Sequence, residues 1–459
     1  MSETTGVLRE GDYGTKVGTV EPGGIEEIPQ SERHGSPIQL LWTWTSPNLE
    51  FATVFVGALG VLAFNLSVMQ SLAAILLGNA LGAAGHAFLS MRGPRYGVPQ
   101  MVLGRPAFGR LGNAIPSLLG SLVAGIGWFA VNSVSGAFAL NTLFHVNLKL
   151  SLLIIVLIQV AIAFFGHNLI QVFERYAFPV LAVVFLIAVI VTLSKSDLGG
   201  GGHGGGMGGF LLETATIYGY SAGWNPFAAD YARYLPSNSD VKKVGLYAGL
   251  GLFLSTTILE FAGAASMTIA SPADASPTDA FVGHFPTLLA KLVLLCIIIG
   301  SIAANVLNIY SGSLSFLATG IKIPSHIRRA IVALVFGIGG FLLALSAINN
   351  PKNNLENFLL VISYWIGPWL GVIVADAILR KGKHIAHLLF KSDYENYAGP
   401  IAFIIAAVVS IWLFSNQMYY TGALAKTHPG IGDITFEVGF VIAFALYWIL
   451  GAKKARSSS

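Results

Sequence analysis

The chain contains few charged residues and almost no cysteine. Only 10% of its 459 residues are Asp, Glu, Lys or Arg, and Cys296 is the single cysteine. Soluble domains carry about 25% charged residues, so this chain cannot cover itself with polar surface in water. A lone cysteine also excludes an internal disulfide and a metal site built from several thiolates.

Apolar residues dominate instead. They make up 54% of the sequence, and the mean hydropathy is +0.70. Residues 151–166 and 401–414 form long runs without any charge. Because a helix needs about 20 mostly apolar residues to cross the core of a bilayer, the sequence predicts an all-α membrane protein. The residues before the first apolar run are polar, so we expect no cleavable signal peptide.

Twelve apolar segments predict 12 transmembrane helices. They lie near residues 38–63, 65–90, 114–143, 150–166, 175–194, 210–233, 243–269, 285–318, 327–348, 356–379, 400–416 and 433–450.

The basic residues predict the orientation of these helices. With the N-terminus inside, all but five of the 26 lysines and arginines fall on the cytoplasmic side. The five exceptions lie one in each of five outer loops: Lys149, Lys195, Lys291, Lys352 and Lys426. Cytoplasmic loops retain basic residues, so we expect a multi-pass protein of the plasma (inner) membrane with both termini in the cytoplasm. The net charge of +4 then reflects the inner membrane face and predicts no nucleic-acid binding.

A glycine-rich run at residues 199–209 lies in the outer loop between predicted spans five and six. It lacks the Gly-Lys-Ser/Thr ending and the preceding strand of a phosphate-binding loop. We therefore interpret it as a flexible external linker. His203 within it carries no metal-site prediction.

Two predicted spans are interrupted by proline. Span one contains Ser46-Pro47-Asn48, and span six contains Trp224-Asn225-Pro226. Proline removes a backbone hydrogen bond, and in lipid the freed polar groups must be satisfied by protein or by a cavity. Interruptions at matching places in two halves of a transporter indicate a substrate site near the membrane midplane. The alternative is that each proline merely kinks its helix.

Spans three and eight carry polar residues that would flank these breaks. Trp128 and Asn132 are four residues apart on span three, and Asn305 and Asn308 are three apart on span eight. An amide offers hydrogen-bond donors and an acceptor, as the edge of a nucleobase requires, and tryptophan offers an aromatic face. The alternative is structural, because membrane asparagines often bridge helices and tryptophans often anchor at interfaces.

Acids within predicted spans are candidates for proton coupling. Glu50 follows the first break, and Glu260 lies in span seven. A carboxyl that gains and loses a proton could couple transport to a proton gradient. The alternative for Glu260 is a permanently protonated acid that ties helices together. Glu213, near the outer start of span six, is expected to be wetted.

Asp230 and Arg233 are three residues apart on one face of span six, at its predicted cytoplasmic end. We predict an inner gate or a tether for a loop. The alternative is an ordinary pair of charges at a helix end, and we expect the pair not to lie deep.

The chain resembles the nucleobase:cation symporter-1 family, and within it the purine–cytosine permeases of fungal and actinobacterial type. The similarity runs from about Gly24 to the end of span ten. It is carried by these segments: GIEEIPQSERHG (24–35), GPRYGVPQMVLGRPAFGRLGN (93–113), GWFAVN (127–132), GWNPFAADYARY (223–234) and NVLNIYSGSLS (305–315).

This resemblance implies a LeuT-type fold of two inverted five-helix repeats with two additional C-terminal helices. The implied division comprises a cytoplasmic tail (1–37), the first repeat (38–194), the glycine-rich external loop (195–209), the second repeat (210–379), two additional helices (380–450) and a cytoplasmic C-terminal tail (451–459).

The resemblance also implies roles for single residues. Trp128 and Asn132 match substrate-contacting residues of span three, and Trp224 matches the tryptophan near the base. Asn305 matches one of two paired asparagines, and Ser46 lies close to the polar contact of span one. The other paired position holds Ala304 here, and we expect Asn308 or Asn225 to compensate for the missing amide, with Asn48 also at the site.

The expected function is import of cytosine or purines such as adenine and hypoxanthine by cation symport with alternating access. The nucleobase and the lipid bilayer are the expected partners, with no cofactor, no enzymatic activity and no obligate protein partner. Sodium sites of this fold combine carbonyls at the span-one break with neighbouring span-eight hydroxyls. Because Ser301 has no adjacent threonine, we favour protons over sodium.

Alternatives stay open at this point. One is sodium-coupled uptake of a hydantoin or allantoin, and another is an amino-acid transporter of the same architecture. Amino-acid transporters usually bind a carboxylate at a glycine-rich break, whereas this break reads Ser-Pro-Asn.

Overall fold

The computed structural model describes residues 6–11, 24–163, 167–270, 276–321 and 325–457. Its principal helices are α1 (Gln39–Thr45), α2 (Phe51–Leu62), α3 (Val68–Ser90), α4 (Ala114–Leu122), α5 (Phe129–Phe144), α6 (Leu148–Ala163), α7 (His167–Lys195), α8 (Gly206–Ala222), α9 (Ala228–Ala232), α10 (Val241–Ser266), α11 (Thr287–Ala318), α12 (Ser325–Ala347), α13 (Pro351–Arg380), α14 (Ala398–Phe414) and α15 (Thr435–Ser457). Short helices and a small hairpin, Asn416–Gln417 with Tyr420–Thr421, connect them.

The described residues form a mostly helical membrane bundle. Seven helical segments are long and apolar enough to cross a bilayer, and α1 with α2 adds an eighth as one bent span. The seven are Val68–Tyr96, Ala114–Phe144, Asn168–Lys195, Val241–Ser266, Thr287–Ala318, Pro351–Arg380 and Thr435–Ser457. Shorter apolar helices occur at Leu148–Ile162, Leu334–Ala347 and Ala398–Phe414. An all-α membrane fold is therefore confirmed, whereas the total of 12 spans and the two-repeat division stay predictions.

Local sequence signals explain several helix boundaries. Ser67 begins α3 with a capping box, in which its hydroxyl accepts from the backbone of Gln70 and the Gln70 side chain returns the bond. Asp240 caps α10 by accepting from the backbone N–H groups of Lys242 and Lys243. Between α4 and α5 the chain forms a π-helical turn, Val123–Trp128. Such a turn is common at functional sites, and here it ends at one of the predicted substrate residues.

Two helices form the centre of the bundle. In both α11 and α13, 83% of the most apolar stretch is buried, compared with 33% in α7. The bundle packs closely because small residues allow backbones to approach. A Cβ at Gly57 of α2 would overlap the backbone carbonyl of Glu260 on α10, and a Cβ at Gly263 of α10 would overlap that of Val54. These glycines fix α2 against α10, next to the first break.

The two ends of the bundle differ. At one end, the segment 24–37 packs against the protein: the Ile28 N–H donates to the Gly97 carbonyl at 3.0 Å, and the His34 N–H to the Tyr234 carbonyl at 2.7 Å. We call this the tail end. At the other end, a cavity of about 460 Å³ lies beside the last turns of α2 and α10. We call this the cavity end.

The glycine-rich run differs from the flexible linker that the sequence suggested. Its backbone N–H groups at Gly202 and Gly205 donate to the carbonyls of Leu66 and Asn65, at 3.0 and 2.9 Å. Asn65 itself adopts a left-handed conformation, with φ of +55°. The glycines let this loop approach the 64–68 backbone closely, and α8 already begins at Gly206, within the run.

Candidate functional site

The first predicted break is present. Residues Ser46–Asn48 form a single 3₁₀ turn after α1. Leu49 then leaves the helical region with ψ of 66°, and Glu50 is fully extended with φ of −150° and ψ of 173°. The chain resumes as α2 at Phe51, and the two helical pieces differ in direction by 62°. The interruption at Pro47 is therefore a true break with exposed backbone groups.

The second predicted break is also present. Helix α8 ends at Ala222, and Asn225–Phe227 form another 3₁₀ turn. Phe227 departs from helical geometry, with φ of −123° and ψ of 3°, before α9 begins at Ala228. Both proline-containing motifs thus interrupt their helices, as the sequence predicted.

A side-chain hydrogen bond joins the two breaks. The indole Nε1 of Trp224 donates to the Oδ1 of Asn48 at 3.1 Å, and the Asn48 Nδ2 donates to the backbone carbonyl of Trp44 at 2.7 Å. The Trp44 and Trp224 rings meet edge to face, with centroids 5.6 Å apart. The residues predicted at spans one and six therefore form one unit.

Trp128 lies beside the same unit. Its ring meets Tyr220 edge to face at 5.2 Å and Phe358 at 5.1 Å. A Cβ at Gly223 would lie 3.1 Å from the Trp128 Nε1, so the glycine before Trp224 leaves room for this indole. Trp128 and Trp224 are each 7% exposed, so both indoles retain a small open surface next to the second break.

Three of the predicted asparagines meet in one network. The Oδ1 of Asn305 accepts from the Nδ2 of Asn132 at 3.1 Å and from the Nδ2 of Asn308 at 3.2 Å. The Nδ2 of Asn305 donates to the Phe129 carbonyl and to the side chains of Ser133 and Gln159. Asn305 is therefore saturated and holds α5, α6 and α11 together. The amide oxygens of Asn132 and Asn308 have no hydrogen-bond partner among the described residues.

A tyrosine and a threonine that sequence reasoning missed connect to the first break. The hydroxyls of Tyr220 and Thr53 are 2.5 Å apart, and the Thr53 hydroxyl donates to the Asn48 carbonyl at 2.6 Å. The buried Glu50 carboxyl faces Tyr220. The only available signal was the position of Tyr220 four residues before Trp224, on the same helical face.

Two further predicted residues face other partners. The buried Ser46 hydroxyl faces the carboxyl of Glu174 on α7, an intramembrane acid that the sequence analysis did not select. Asn225 is buried against α3, where its amide faces Gly85 and His86. Neither side chain joins the network of Asn132, and neither can replace the missing amide at Ala304 in this conformation.

The predicted coupling acids are buried. Glu260 accepts a hydrogen bond from the Nδ2 of Asn79 at 2.5 Å. The expectation that Glu213 would be wetted is wrong, because Gly60 and Ser71 pack directly over its carboxyl and leave it 0% exposed. Glu213 and Glu260 both lie beside the part of α2 that leads to the cavity end.

The predicted gate residues lie deeper than expected. Asp230 and Arg233 are both buried, because the segment 24–37 and the loop at 93–104 cover this end of span six. The Asp230 Oδ1 accepts from the Gln100 N–H at 2.9 Å. Arg233 donates to the Gly24 carbonyl at 2.9 Å and to the Tyr310 hydroxyl at 3.0 Å. The two charges therefore tether a loop and the tail, and are not an exposed pair at a helix end.

A second arginine completes the closure of the tail end. Arg33 donates to the carbonyls of Pro94 and Ile28, at 2.6 and 2.9 Å, and forms an ion pair with Glu27 at 3.1 Å. Burial lowers the pKa of Arg33, while the nearby Glu27 carboxylate opposes that effect. At the cavity end, by contrast, Ala58, Ser266 and Lys352 line open space.

The chain matches a family model described as a permease for cytosine/purines, uracil, thiamine and allantoin, over residues 27–439. The chain belongs to this permease family. The resemblance seen in the sequence is thus confirmed, and the family consists of transporters and not enzymes.

Among curated relatives, the purine-cytosine permease fcyB of Emericella nidulans is 28% identical, covering 94% of this chain and 88% of its own. The purine-cytosine permease FCY2 of Saccharomyces cerevisiae is also 28% identical, covering 94% and 85%.

Solved structures share the fold. Mhp1, a nucleobase-cation-symport-1 family transporter in a closed conformation with bromovinylhydantoin bound, superposes with a TM-score of 0.76 at 20% identity, covering 95% of this chain and 96% of its own. A Na⁺-coupled sialic acid symporter in a substrate-bound outward-open state gives a TM-score of 0.61 at 12% identity, covering 92% and 90%. At these identities the likeness shows the fold alone.

Proposed function

We propose that this permease imports a nucleobase, either cytosine or a purine such as adenine or hypoxanthine, by symport with a proton. The observation that carries the proposal is the junction of the two breaks. Trp224 and Asn48 form a hydrogen bond across it. Trp128 lies beside it, in the space left by the missing side chain of Gly223. The purine-cytosine permeases among its relatives support the same class of substrate.

A flat, uncharged base fits the chemistry of this junction. The Trp128 and Trp224 indoles offer aromatic faces. A base can stack on such a face regardless of which hydrogen-bonding groups it carries along its edge. The free amide oxygens of Asn132 and Asn308 accept hydrogen bonds, and every candidate base presents N–H donors along its edge. The saturated Asn305 holds both asparagines in place, so its role in this proposal is positioning.

Alternating access follows from the difference between the two ends. The tail end is closed by Asp230, Arg233 and Arg33, whereas the cavity end is open. We propose that the cavity end faces outside and that both termini are cytoplasmic in a plasma (inner) membrane, as the lysine and arginine distribution predicts. Import would then require the tail contacts to open after the base has bound.

Proton coupling is supported by the contact between α11 and the first break. Gly300 of α11 lies directly against this break, since a Cβ there would overlap the Leu49 carbonyl and approach the Glu50 side chain. Glycine offers no hydroxyl for a sodium ion. Ser301 faces away, toward Gly136 of α5, and its hydroxyl donates to the Ile298 carbonyl of its own helix.

A second candidate is sodium-coupled uptake of a hydantoin or allantoin. It is favoured by the fold likeness to Mhp1 with bromovinylhydantoin bound and by the allantoin in the family description. An amino-acid transporter of the same architecture is less well supported, because Asn48 at the break is already bonded to Trp224 and Trp44.

Uptake of a labelled panel separates these candidates. Cytosine, adenine, hypoxanthine, uracil, allantoin and one amino acid are offered to cells that express the chain, with and without sodium and with a protonophore. We expect uptake of cytosine or a purine that is independent of sodium and abolished by the protonophore. Sodium-dependent uptake of allantoin alone, or of the amino acid alone, would replace the proposal with the corresponding alternative.

A further inference from the structure

Two acids from different helices pack against neighbouring glycines of α2, Glu260 against Gly57 and Glu213 against Gly60, in the half of the bundle nearest the cavity. Glu213 of α8 and Glu260 of α10 are both 0% exposed and interact electrostatically with each other. Among the residues that the structure describes, neither forms an ion pair with a lysine, arginine or histidine. Two like charges buried together repel strongly, and a buried charge without a partner is costly. The pair therefore carries at most one negative charge, and must hold at least one proton.

Polar side chains without partners surround this pair. The Ser71 hydroxyl of α3 and the Glu213 Oε1 both approach the position that a Cβ at Gly60 would occupy, the latter at 2.7 Å. Ser71 is fully buried, and within the described chain its hydroxyl has no hydrogen-bond partner. Asn79 lies about two turns after Ser71 on α3. Its Nδ2 donates to Glu260, and its Oδ1 also lacks a partner among the described residues. An acid with a purely structural role would be expected to hydrogen-bond to the Ser71 hydroxyl and the Asn79 oxygen. Here both groups remain available for a hydrogen bond when the protonation of the pair changes.

Titratable groups connect the pair in both directions. On the cavity side, Glu356 of α13 interacts with Glu213 and is itself close to Lys352, which lines the cavity. On the other side, Tyr220 of α8 interacts with Glu260 and with Glu50 at the first break. The pair is thus bordered by an acid toward the cavity and by a phenol toward the substrate site.

We propose that Glu213 and Glu260 form one buried acid pair that binds the coupling proton. This rests on the proposed proton symport and names its carrier. In the unloaded state the pair holds one proton and is a monoanion. A hydronium ion that arrives from the cavity gives its proton to the carboxylate oxygen, leaving water, and the loaded pair is neutral. Transfer of that proton to a water molecule that leads to the tail end forms hydronium and restores the monoanion, with Ser71 and Asn79 as hydrogen-bonding partners of the two forms.

Direct proton binding is measured first, because it does not depend on the substrate. The full-length protein is purified, and the infrared band of protonated carboxylic acids is followed as pH is raised. We expect the Glu213→Gln/Glu260→Gln double variant to lose part of the wild-type pH-dependent band. We expect each single variant to shift the titration of the remaining acid by about one pH unit or more, since its neighbour has changed. Asp393→Asn, at an exposed acid outside the apolar helices, serves as the control and should leave these features unchanged.

Transport is measured second, in proteoliposomes with labelled cytosine. We expect the double variant to exchange cytosine by counterflow within about twofold of wild type, while its accumulation driven by a pH gradient falls at least about tenfold, or by ~1.4 kcal/mol of driving force. The single variants should still accumulate cytosine with a displaced pH dependence. If the double variant does not fold, the two single variants and a Glu→Asp replacement at each position carry the test.

Three results would overturn the acid pair: an unchanged infrared titration in the double variant, undiminished proton-driven accumulation by it, or a Glu213→Gln variant that titrates and transports as wild type. Absence of wild-type exchange of cytosine, adenine and hypoxanthine alike would instead count against the proposed function, and the infrared titration would still decide whether the pair binds a proton. Wild-type accumulation driven only by sodium would overturn the pair as the coupling site.

Discussion

The indole nitrogen of Trp224 donates to the side-chain oxygen of Asn48 at 3.1 Å, and so links the broken region of span six to that of span one. The two residues are 176 positions apart in the sequence. Polar groups at a helix break need hydrogen-bond partners inside the bilayer. Through this bond, each break supplies a partner to a side chain of the other. It also orients the Trp224 ring, which we propose as one of two aromatic faces for the substrate.

Replacing Trp224 separates its two roles. Trp224→Phe keeps an aromatic face but loses the bond to Asn48, and Trp224→Ala loses both. We expect Trp224→Ala to abolish nucleobase uptake while the protein still reaches the membrane. Trp224→Phe should retain uptake with a raised KM, since one neutral hydrogen bond contributes about 0.5–1.5 kcal/mol. Uptake kinetics and surface labelling test both, and normal uptake by Trp224→Ala would remove this residue from the site.

Asn132 and Asn305 should differ in what their loss affects. Asn132→Ala removes a free amide oxygen and one of the two bonds to the Asn305 oxygen, which keeps its bond from Asn308. We therefore expect it to abolish uptake with a smaller loss of thermal stability than Asn305→Ala. Asn305→Ala breaks bonds to α5 and α6 and should cost about 1–3 kcal/mol of stability, because the partner groups are left buried and unpaired. Melting of the purified variants, with Asn353→Ala as a control, checks the distinction. A stable Asn305→Ala protein with defective binding would make Asn305 a direct contact.

Gly300 should tolerate no side chain. A Cβ there would overlap the Leu49 carbonyl at the first break, and that atom is backbone and cannot rotate away. We expect Gly300→Ala to displace the break from α11 and to lower uptake at least about tenfold, consistent with overpacking costs of about 1–3 kcal/mol. Gly430→Ala is the matched control, because its position is open. Equal uptake by the two variants would contradict the close contact.

Arg233 should control access from the tail end. Arg233→Gln keeps some hydrogen bonding but weakens the charge-assisted bonds to Gly24 and Tyr310. We predict that residues behind the tail become more accessible to cytoplasmic reagents. A cysteine introduced at Ala232 in a Cys296→Ala background should be modified faster in Arg233→Gln than in its parent. Unchanged modification would mean that other contacts, such as those of Arg33, are sufficient to close this end.

His284 gives a prediction for pH. It lies in the predicted outer loop, where burial, with a smaller contribution from Lys195, lowers its pKa to about 4. The folded protein thus favours neutral His284, and the unfolded chain binds more protons between its ordinary pKa of about 6.5 and that value. Stability should therefore fall on acidification through this window, and less so in His284→Gln. Uptake should show the same pH profile in both proteins, and a displaced uptake profile would assign His284 a role in coupling.

The sequence predicted the breaks well, because proline within an apolar helix has a local and unavoidable consequence. Through the family resemblance it also predicted Trp128, Asn132, Trp224 and Asn305 as substrate contacts. The structure brings Trp128 next to Gly223 and Asn132 next to Asn305, and their contact with a substrate stays a prediction. Depth was harder to predict. Asp230 and Arg233 look like helix-end charges until the tail folds over them, and such cover depends on contacts between distant parts of the chain.

Other features have at most a weak local sequence signal. Glu213 stands near the end of its predicted span, and only the packing of Gly60 and Ser71 shows that it is buried. Glu174 meets Ser46 across 128 residues of chain, and Tyr220 resembles any other aromatic residue of a membrane helix. These roles depend on which helices pack together. Such contacts join residues far apart in the chain and leave no short sequence pattern.

We propose that the two interrupted helices together hold a flat solute between aromatic side chains. A cryo-EM density map of the full-length protein, bound to the base that the uptake panel identifies, would show this directly. We expect density for one base between Trp128 and Trp224, with its edge toward Asn132 and with both breaks retained. A base bound elsewhere, or continuous first and sixth helices with no space between them, would contradict it.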